Sequence, residues 1–171
     1  ASELRVQQEC GPPVLPAAFL HEGARSPRLP VQGQPCRRVA IQGPGRSPIT
    51  KLREGRSQRI VKQGQVFNRI HVADIAATLE ASLDRPRPGA VYNVTDDEPT
   101  PPQVVTEYAA KLAGLPLPPE VDFETADLGP MARSFYGENK RVRNRLIREE
   151  LGVSLAYPTY REGLAILAGE A

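Results

Sequence analysis

Two residues in the middle of the chain have side chains suited to binding a polar or anionic ligand. Arg69 carries a planar guanidinium group, which can hold a phosphate or a sugar carboxylate through paired hydrogen bonds. His71 can position a substrate or a loop through a ring nitrogen. Each also has a structural interpretation, with Arg69 as a solvated hairpin residue and His71 as a buried, hydrogen-bonded histidine. We take both as candidate substrate-binding residues.

Metal and thiol chemistry find little support in the chain. The consecutive carboxylates Asp96, Asp97 and Glu98 have no histidine or further carboxylate at metal-ligand spacing, which favours a solvated segment before a helix over a metal site. The two cysteines, Cys10 and Cys36, cannot form a disulfide framework or a cysteine-rich metal site. We therefore predict no metal and a reducing, cytoplasmic setting.

Composition indicates a globular protein with an uneven charge. The 171 residues are 40% hydrophobic and 25% charged, and no apolar run approaches the ~18 residues of a membrane span. The net charge of +2 divides into +8 over residues 1–72 and −6 over residues 73–171. The basic part could bind a polyanion, but it has few aromatic residues for stacking and no recognisable nucleic-acid-binding module. Nucleic-acid binding is therefore a weaker alternative.

Secondary-structure signals begin near residue 41. Frequent prolines predict an irregular segment over residues 1–40. A helix should begin after Ser47 and end at Gly55, and strands over 59–62 and 66–70 should form a hairpin around Gly64. The next helix should turn Ile75, Leu79 and Leu83 inward and carry Asp74 in its first turn as a cap.

The remaining segments alternate between strands and helices. We predict strands over 90–94 and 121–125, a helix opened by a capping box at Thr100 and ended by Gly114, and a helix capped by Asn144. A last capping box, formed by Thr159 and Glu162, should open a helix that turns Leu164 and Leu167 inward. This alternation predicts an α/β fold.

Five segments together resemble one protein family. In chain order they are GPGRSPITKLREGR, FNRIHVADIAATLEAS, RPGAVYNVTDDEPTPPQVVTEYAAKLAG, ENKRVRNRLIREELG and YPTYREGLAIL. They resemble the C-terminal half of the NAD-dependent epimerase/dehydratase family, an extended or atypical branch of the short-chain dehydrogenase/reductase superfamily. The resemblance covers residues 41–169 and implies the substrate-binding part of a Rossmann-type fold over residues 41–171. Residues 1–40 depart from the family, as a truncated or frameshifted product would.

The resemblance implies an oxidoreductase or isomerase that uses NAD or NADP on a nucleotide-sugar or similar substrate. The family's glycine-rich dinucleotide loop is absent from this sequence, and no tyrosine precedes Gly43, where the catalytic Tyr-x-x-x-Lys should lie. Tyr136 and Lys140 match that pattern, but in a late loop of the family. We therefore assign no catalytic or cofactor-binding residues, expect no cofactor to bind the chain alone, and leave its status as an enzyme open.

The resemblance also adds three candidate substrate-binding residues. Arg46 follows a Gly-Pro-Gly turn that borders cofactor and substrate in the family, although it could equally belong to a merely basic face. Lys140 and Arg141 match the family's late basic loop that closes over the substrate. As an alternative function, the chain could be a non-catalytic interaction domain or a homo-oligomer that pairs through a sheet edge.

Overall fold

Short strands and helices alternate along the chain. The computed structural model describes residues 39–169, so the predicted irregular segment, Cys10 and Cys36 lie outside the described residues apart from Val39 and Ala40. The strands are β1 (Val39–Gln42), β2 (Arg59–Val61), β3 (Asn68–His71) and β4 (Glu120–Asp122). The helices are α1 (Pro48–Arg53), α2 (Val72–Asp84), α3 (Pro102–Ala113), α4 (Pro130–Phe135), α5 (Arg145–Glu149) and α6 (Tyr160–Gly169). The predicted α/β class is confirmed.

The strands form two small parallel sheets. Strand β1 pairs with β3, and β2 pairs with β4. The predicted hairpin is therefore wrong, although its turn exists, with Gly64 at φ +72°. The chain leaves the hairpin path because Phe67 exchanges backbone hydrogen bonds of 3.1 and 3.2 Å with Thr100, a residue distant in sequence. Strand β3 is thereby directed to β1.

The largest apolar core joins α1, α3 and α6. Ile49, Val105, Ala109, Tyr160 and Leu164 are its buried members, and the predicted inward face of α6 is confirmed. Ser47 caps α1 as predicted, because its hydroxyl accepts a 3.2 Å hydrogen bond from the Thr50 backbone N–H.

Helix α2 is rotated relative to the prediction. Leu79 and Leu83 are 46% and 77% exposed, whereas Asp74 and Thr78 are buried. The Asp74 carboxylate accepts hydrogen bonds from the backbone N–H groups of Ala156 (2.7 Å) and Tyr157 (3.1 Å). It is therefore a tertiary anchor rather than a cap, and it holds the polar face of α2 against the 153–158 segment.

Several helix starts also differ from the local signals. Thr100 forms no capping box, because its hydroxyl donates to the Glu98 carbonyl and α3 begins after Pro101. Asn144 precedes α5 without capping it through its side chain. The Thr159 capping box does form, with its backbone N–H 3.0 Å from Glu162 Oε2. Residues 90–94 pair with no strand in the described part of the chain.

No helix within residues 39–169 is long and apolar enough to cross a membrane.

Candidate functional site

The segment 138–144, which we call the arginine loop, lies along β3 and is held there by side-chain amides. Gln65 Nε2 donates to the Glu138 carbonyl at 2.7 Å. Asn68 makes two bonds, because its Nδ2 donates to the Lys140 carbonyl and its Oδ1 accepts from the Val142 N–H, both at 2.9 Å. Buried Asn68 therefore fixes the middle of the loop.

Both ends of the arginine loop are fixed in the same manner. The Asn139 amide accepts from the Val66 N–H at 3.2 Å and donates to the Gly64 carbonyl at 2.8 Å. At the other end, Asn144 Nδ2 donates to the Thr95 carbonyl at 2.8 Å and to Asp97 Oδ1 at 2.7 Å. Uncharged side chains thus determine where the charged ones project.

A cleft of about 540 Å³ opens between the arginine loop, α5 and the segment that follows residue 95. Its lining consists of Asp96, Asp97, Pro99, Arg141, Val142, Arg143, Asn144, Arg145, Arg148 and Glu149. Arg145 pairs with Glu149 at 2.9 Å, and Arg148 pairs with Asp97. Arg141 and Arg143 are exposed, and no acidic side chain within residues 39–169 pairs with either. These two guanidinium groups give the cleft an unneutralised positive charge.

The acidic cluster is only in part the solvated segment that the sequence predicts, because Asp97 is exposed but Asp96 is buried. Asp96 is only 3% exposed, and its backbone N–H donates to the Arg69 carbonyl at 2.6 Å. Asp97 and Glu98 instead pair with Arg148 and Arg161, which connects the segment to α5 and α6. The cluster therefore joins elements of the fold, and Asp96 lies at the floor of the cleft.

Burial shifts the acid–base equilibria of the cleft floor. Desolvation raises the pKa of Asp96 to about 7, against the opposing attraction of Arg69. Desolvation likewise lowers the pKa of Arg69 to about 10, although Asp96 favours its charged form. Asp96 is therefore close to half-protonated at neutral pH, while Arg69 remains charged.

Arg69 and His71 both lie below the surface. Arg69 Nη1 donates to the carbonyls of Phe67 (2.9 Å) and Thr100 (3.0 Å), so its interpretation as a solvated residue is wrong. The His71 ring packs against Tyr157 with ring centroids 4.0 Å apart and planes inclined by 46°, and its Nδ1 accepts a 3.3 Å bond from the Ala73 N–H at the start of α2. These contacts support the fold around the cleft.

The three other predicted residues lie on the surface but not together. Arg141 lines the cleft, whereas Lys140 pairs with Glu138 at 2.8 Å. Arg46 follows β1 in a tight turn closed by a 2.9 Å bond from its N–H to the Gly43 carbonyl. A smaller pocket of about 140 Å³ lies at this turn. Sequence reasoning missed Arg143 and Asp96 as cleft residues, although the alternation of arginines at 141, 143 and 145 is a visible signal for the first.

The Tyr136–Lys140 pattern does not form a catalytic pair on a helix. Tyr136 follows the short helix α4 and is buried against Phe67 and Phe123, with ring centroids about 5 Å away. Burial raises the pKa of its hydroxyl. Lys140 lies in the arginine loop, so the two residues do not share a helix.

We predict that Asn68→Ala loosens the arginine loop. The change removes both bonds to Lys140 and Val142 and leaves the half-buried Val142 N–H without its acceptor, which costs about 2 kcal/mol of unfolding free energy. Hydrogen exchange should show the Val142 amide exchanging at least about tenfold faster, while amides within α3 keep their protection. Asn93→Ala, which removes one 3.3 Å bond to the Arg143 carbonyl, is the milder control. Unchanged Val142 protection would contradict a fixing role for Asn68.

Solved structures show which proteins share this fold. A functionally unknown conserved protein from Silicibacter pomeroyi is 66% identical over 79% of this chain and 48% of its own, with a TM-score of 0.74. The human epimerase family protein SDR39U1, solved with NADPH, is 19% identical over 78% of this chain and 47% of its own, with a TM-score of 0.63. The dTDP-glucose 4,6-dehydratase of Bacillus anthracis, in complex with NAD, is 20% identical over 75% and 41%, with a TM-score of 0.55.

These matches confirm, at the level of the fold, the resemblance to epimerase/dehydratase structures. The chain spans somewhat less than half the length of the solved proteins that it matches. No protein-family model matches the chain, and no curated protein does.

Proposed function

We propose that this chain contributes the substrate-binding part of an NAD(P)-dependent nucleotide-sugar epimerase, dehydratase or related oxidoreductase, and that it is inactive alone. The fold match supports the general class, since the neighbours include an epimerase family protein with NADPH and a dTDP-glucose 4,6-dehydratase with NAD. The observation that carries the proposal is the pair of unneutralised arginines, Arg141 and Arg143, beside a cleft of about 540 Å³. Such a cleft suits a ligand that carries phosphate.

The five candidate residues take different roles in this proposal. Arg141 would bind the anionic part of the substrate directly, with Lys140 adding charge at the rim of the loop. Arg46 lies at the turn after β1, beside a separate and smaller pocket, so in this proposal it does not contact the ligand of the cleft. Arg69 and His71 would act as positioning residues, because both are buried and already hydrogen-bonded to the backbone.

In this proposal, the cofactor is bound by another part of such a protein. A dinucleotide pyrophosphate is bound by a glycine-rich loop at a helix N-terminus, and this sequence has no GxGxxG pattern. The chain would therefore supply substrate contacts, while hydride transfer requires NAD or NADP held elsewhere. We further propose a cytoplasmic location, which the low cysteine content favours.

Calorimetry with the full chain tests this function. We expect UDP-glucose or dTDP-glucose to bind, and Arg141→Ala to weaken binding by about tenfold or more, because one charge-assisted bond is worth roughly 1.5–3 kcal/mol. Arg85→Ala, at an exposed arginine after the end of α2 that lines neither pocket, is the matched control and should leave the affinity unchanged. We also expect no NAD(P)-dependent turnover. Tight binding of NAD by the full chain, or no binding of either nucleotide-sugar, would refute the proposal.

A non-catalytic interaction domain is the second candidate. Parallel sheets are normally covered and larger than two strands, and both sheets described here have two. The exposed Leu79 and Leu83 on α2 add an uncovered apolar face. Sedimentation of the full chain discriminates this candidate, since a monodisperse monomer across micromolar concentrations counts against it and a stable homo-oligomer supports it.

A further inference from the structure

Asp96 is a buried carboxylate at the floor of the cleft. Its Oδ1 has no hydrogen-bond partner among the described residues. The charged groups around it come from every neighbouring element: Arg69 from β3, Asp97 and Glu98 from its own segment, Arg141 and Arg143 from the arginine loop, and Arg145, Arg148 and Glu149 from α5. The protonation state of Asp96 therefore contributes to the charge of the cleft.

A negative charge on Asp96 is only partly compensated, because Arg69 and the backbone N–H groups of Arg69 and Glu98 favour it while the larger effect of desolvation opposes it. Arg69 is the nearest buried cation, but its Nη1 donates to two backbone carbonyls, and the described structure contains no direct ion pair between the two residues. The neighbouring carboxylate of Asp97 is paired with Arg148 and adds repulsion. A buried carboxylate in these surroundings is stabilised by taking up a proton.

An anion in the cleft would place further negative charge beside this carboxylate. Building on the proposed function, we propose that binding of a phosphate-bearing ligand at Arg141 and Arg143 is coupled to uptake of one proton by the Asp96 carboxylate. The proton comes from solvent and is released when the ligand leaves, and no covalent bond of the ligand changes. The cleft thereby has a higher affinity for anions when Asp96 is neutral.

The coupling predicts how the affinity of the cleft for anions changes with pH. Below the pKa of Asp96, near 7, the carboxyl group is already neutral and anion binding needs no proton. Above it, the ionised group opposes the anion, so affinity falls as pH rises through about 7, with a slope of at most one proton. At pH 7 binding should take up as much as about half a proton per anion.

Calorimetry of the full chain with sulfate and with UDP-glucose tests the coupling. Neither probe titrates near pH 7, so any proton taken up belongs to the protein. The apparent binding enthalpy, measured at pH 7 in PIPES and in Tris, should differ in the sense of proton uptake for the wild-type chain. Asp96→Asn should abolish this difference and bind sulfate roughly three- to tenfold more tightly at pH 8. Asp84→Asn, on the exposed end of α2, is the matched control and should behave as wild type.

The outcomes separate this inference from the proposed function. Binding of UDP-glucose without proton uptake overturns the coupling and leaves the function standing. Sulfate binding with uptake, but no binding of UDP-glucose or dTDP-glucose, supports the coupling and removes the function. Uptake that persists in Asp96→Asn overturns the assignment to Asp96, and failure of sulfate and both nucleotide-sugars to bind overturns both proposals. If Asp96→Asn fails to fold, Asp96→Ser removes the same titrating group.

Discussion

Asp74→Ala is expected to lower the free energy of unfolding by about 3–5 kcal/mol, the largest effect of any single change that we predict. The carboxylate is 1% exposed and accepts from the backbone N–H groups of Ala156 and Tyr157. Alanine would leave both donors without their buried acceptor, and each such loss costs roughly 1–3 kcal/mol. Urea unfolding followed by circular dichroism would measure the change.

Two further variants identify the cause of that loss. Asp74→Asn keeps the size of the side chain and one accepting oxygen, so it should lose about half as much stability as the alanine variant. Asp84→Ala, at the exposed end of the same helix, should change the unfolding free energy by less than about 0.5 kcal/mol. Equal effects at positions 74 and 84 would show that the anchor between α2 and the 153–158 segment is unimportant.

Gly163→Val is expected to destabilise the protein by about 3–4 kcal/mol. A Cβ atom at Gly163 would lie 2.9 Å from Gln42 Oε1 and 3.6 Å from His71 Cδ2. Gln42 is buried at the end of β1, so its amide cannot move into solvent to make room. Overpacking of this kind costs roughly 1–3 kcal/mol, and the valine methyl groups extend it. Thermal unfolding would measure the loss.

The sign of the stability change in Gly163→Ala distinguishes helix propensity from close packing. Helix propensity alone predicts that alanine stabilises the interior of α6 by about 1 kcal/mol, whereas the contact with Gln42 predicts a net loss. Ala165→Val, at an exposed position two residues later, controls for the poor helix propensity of valine and should cost only about 0.5 kcal/mol. Stabilisation by Gly163→Ala would refute close packing of α6 on β1 and β3.

Features determined by a few adjacent residues could be predicted from the sequence. Ser47 begins α1, Gly114 ends α3 with φ +63°, and Thr159 with Glu162 begins α6, because each depends on hydrogen bonds within one turn. The predicted hairpin is wrong because Phe67 forms its backbone hydrogen bonds with Thr100, which is distant in sequence. The predicted apolar face of α2 is wrong because buried Asp74 has a hydrogen-bond partner 82 residues away.

The residues of the candidate site also divide into those that the sequence identifies and those whose burial only the folded chain shows. Arg141 could be identified because its type and its position in a basic run are visible in the sequence. Asp96 could not, because an acidic residue among acidic neighbours usually faces water, and only the folded chain shows it buried beside Arg69. The burial of Arg69 was hidden for the same reason, since its acceptors are carbonyls brought together by the pairing of Phe67 with Thr100.

The amide contacts along the arginine loop also affect how a ligand would bind. Ordering a free loop costs roughly 1–2 kcal/mol per residue in backbone conformational entropy, which a ligand would otherwise have to supply. Here the backbone is fixed by contacts within the protein, made by Gln65, Asn68, Asn139 and Asn144. The loop is preorganised, and its exposed side chains can be exchanged without changing its path. Ligand selectivity can therefore be altered at positions 141 and 143 at little cost in stability.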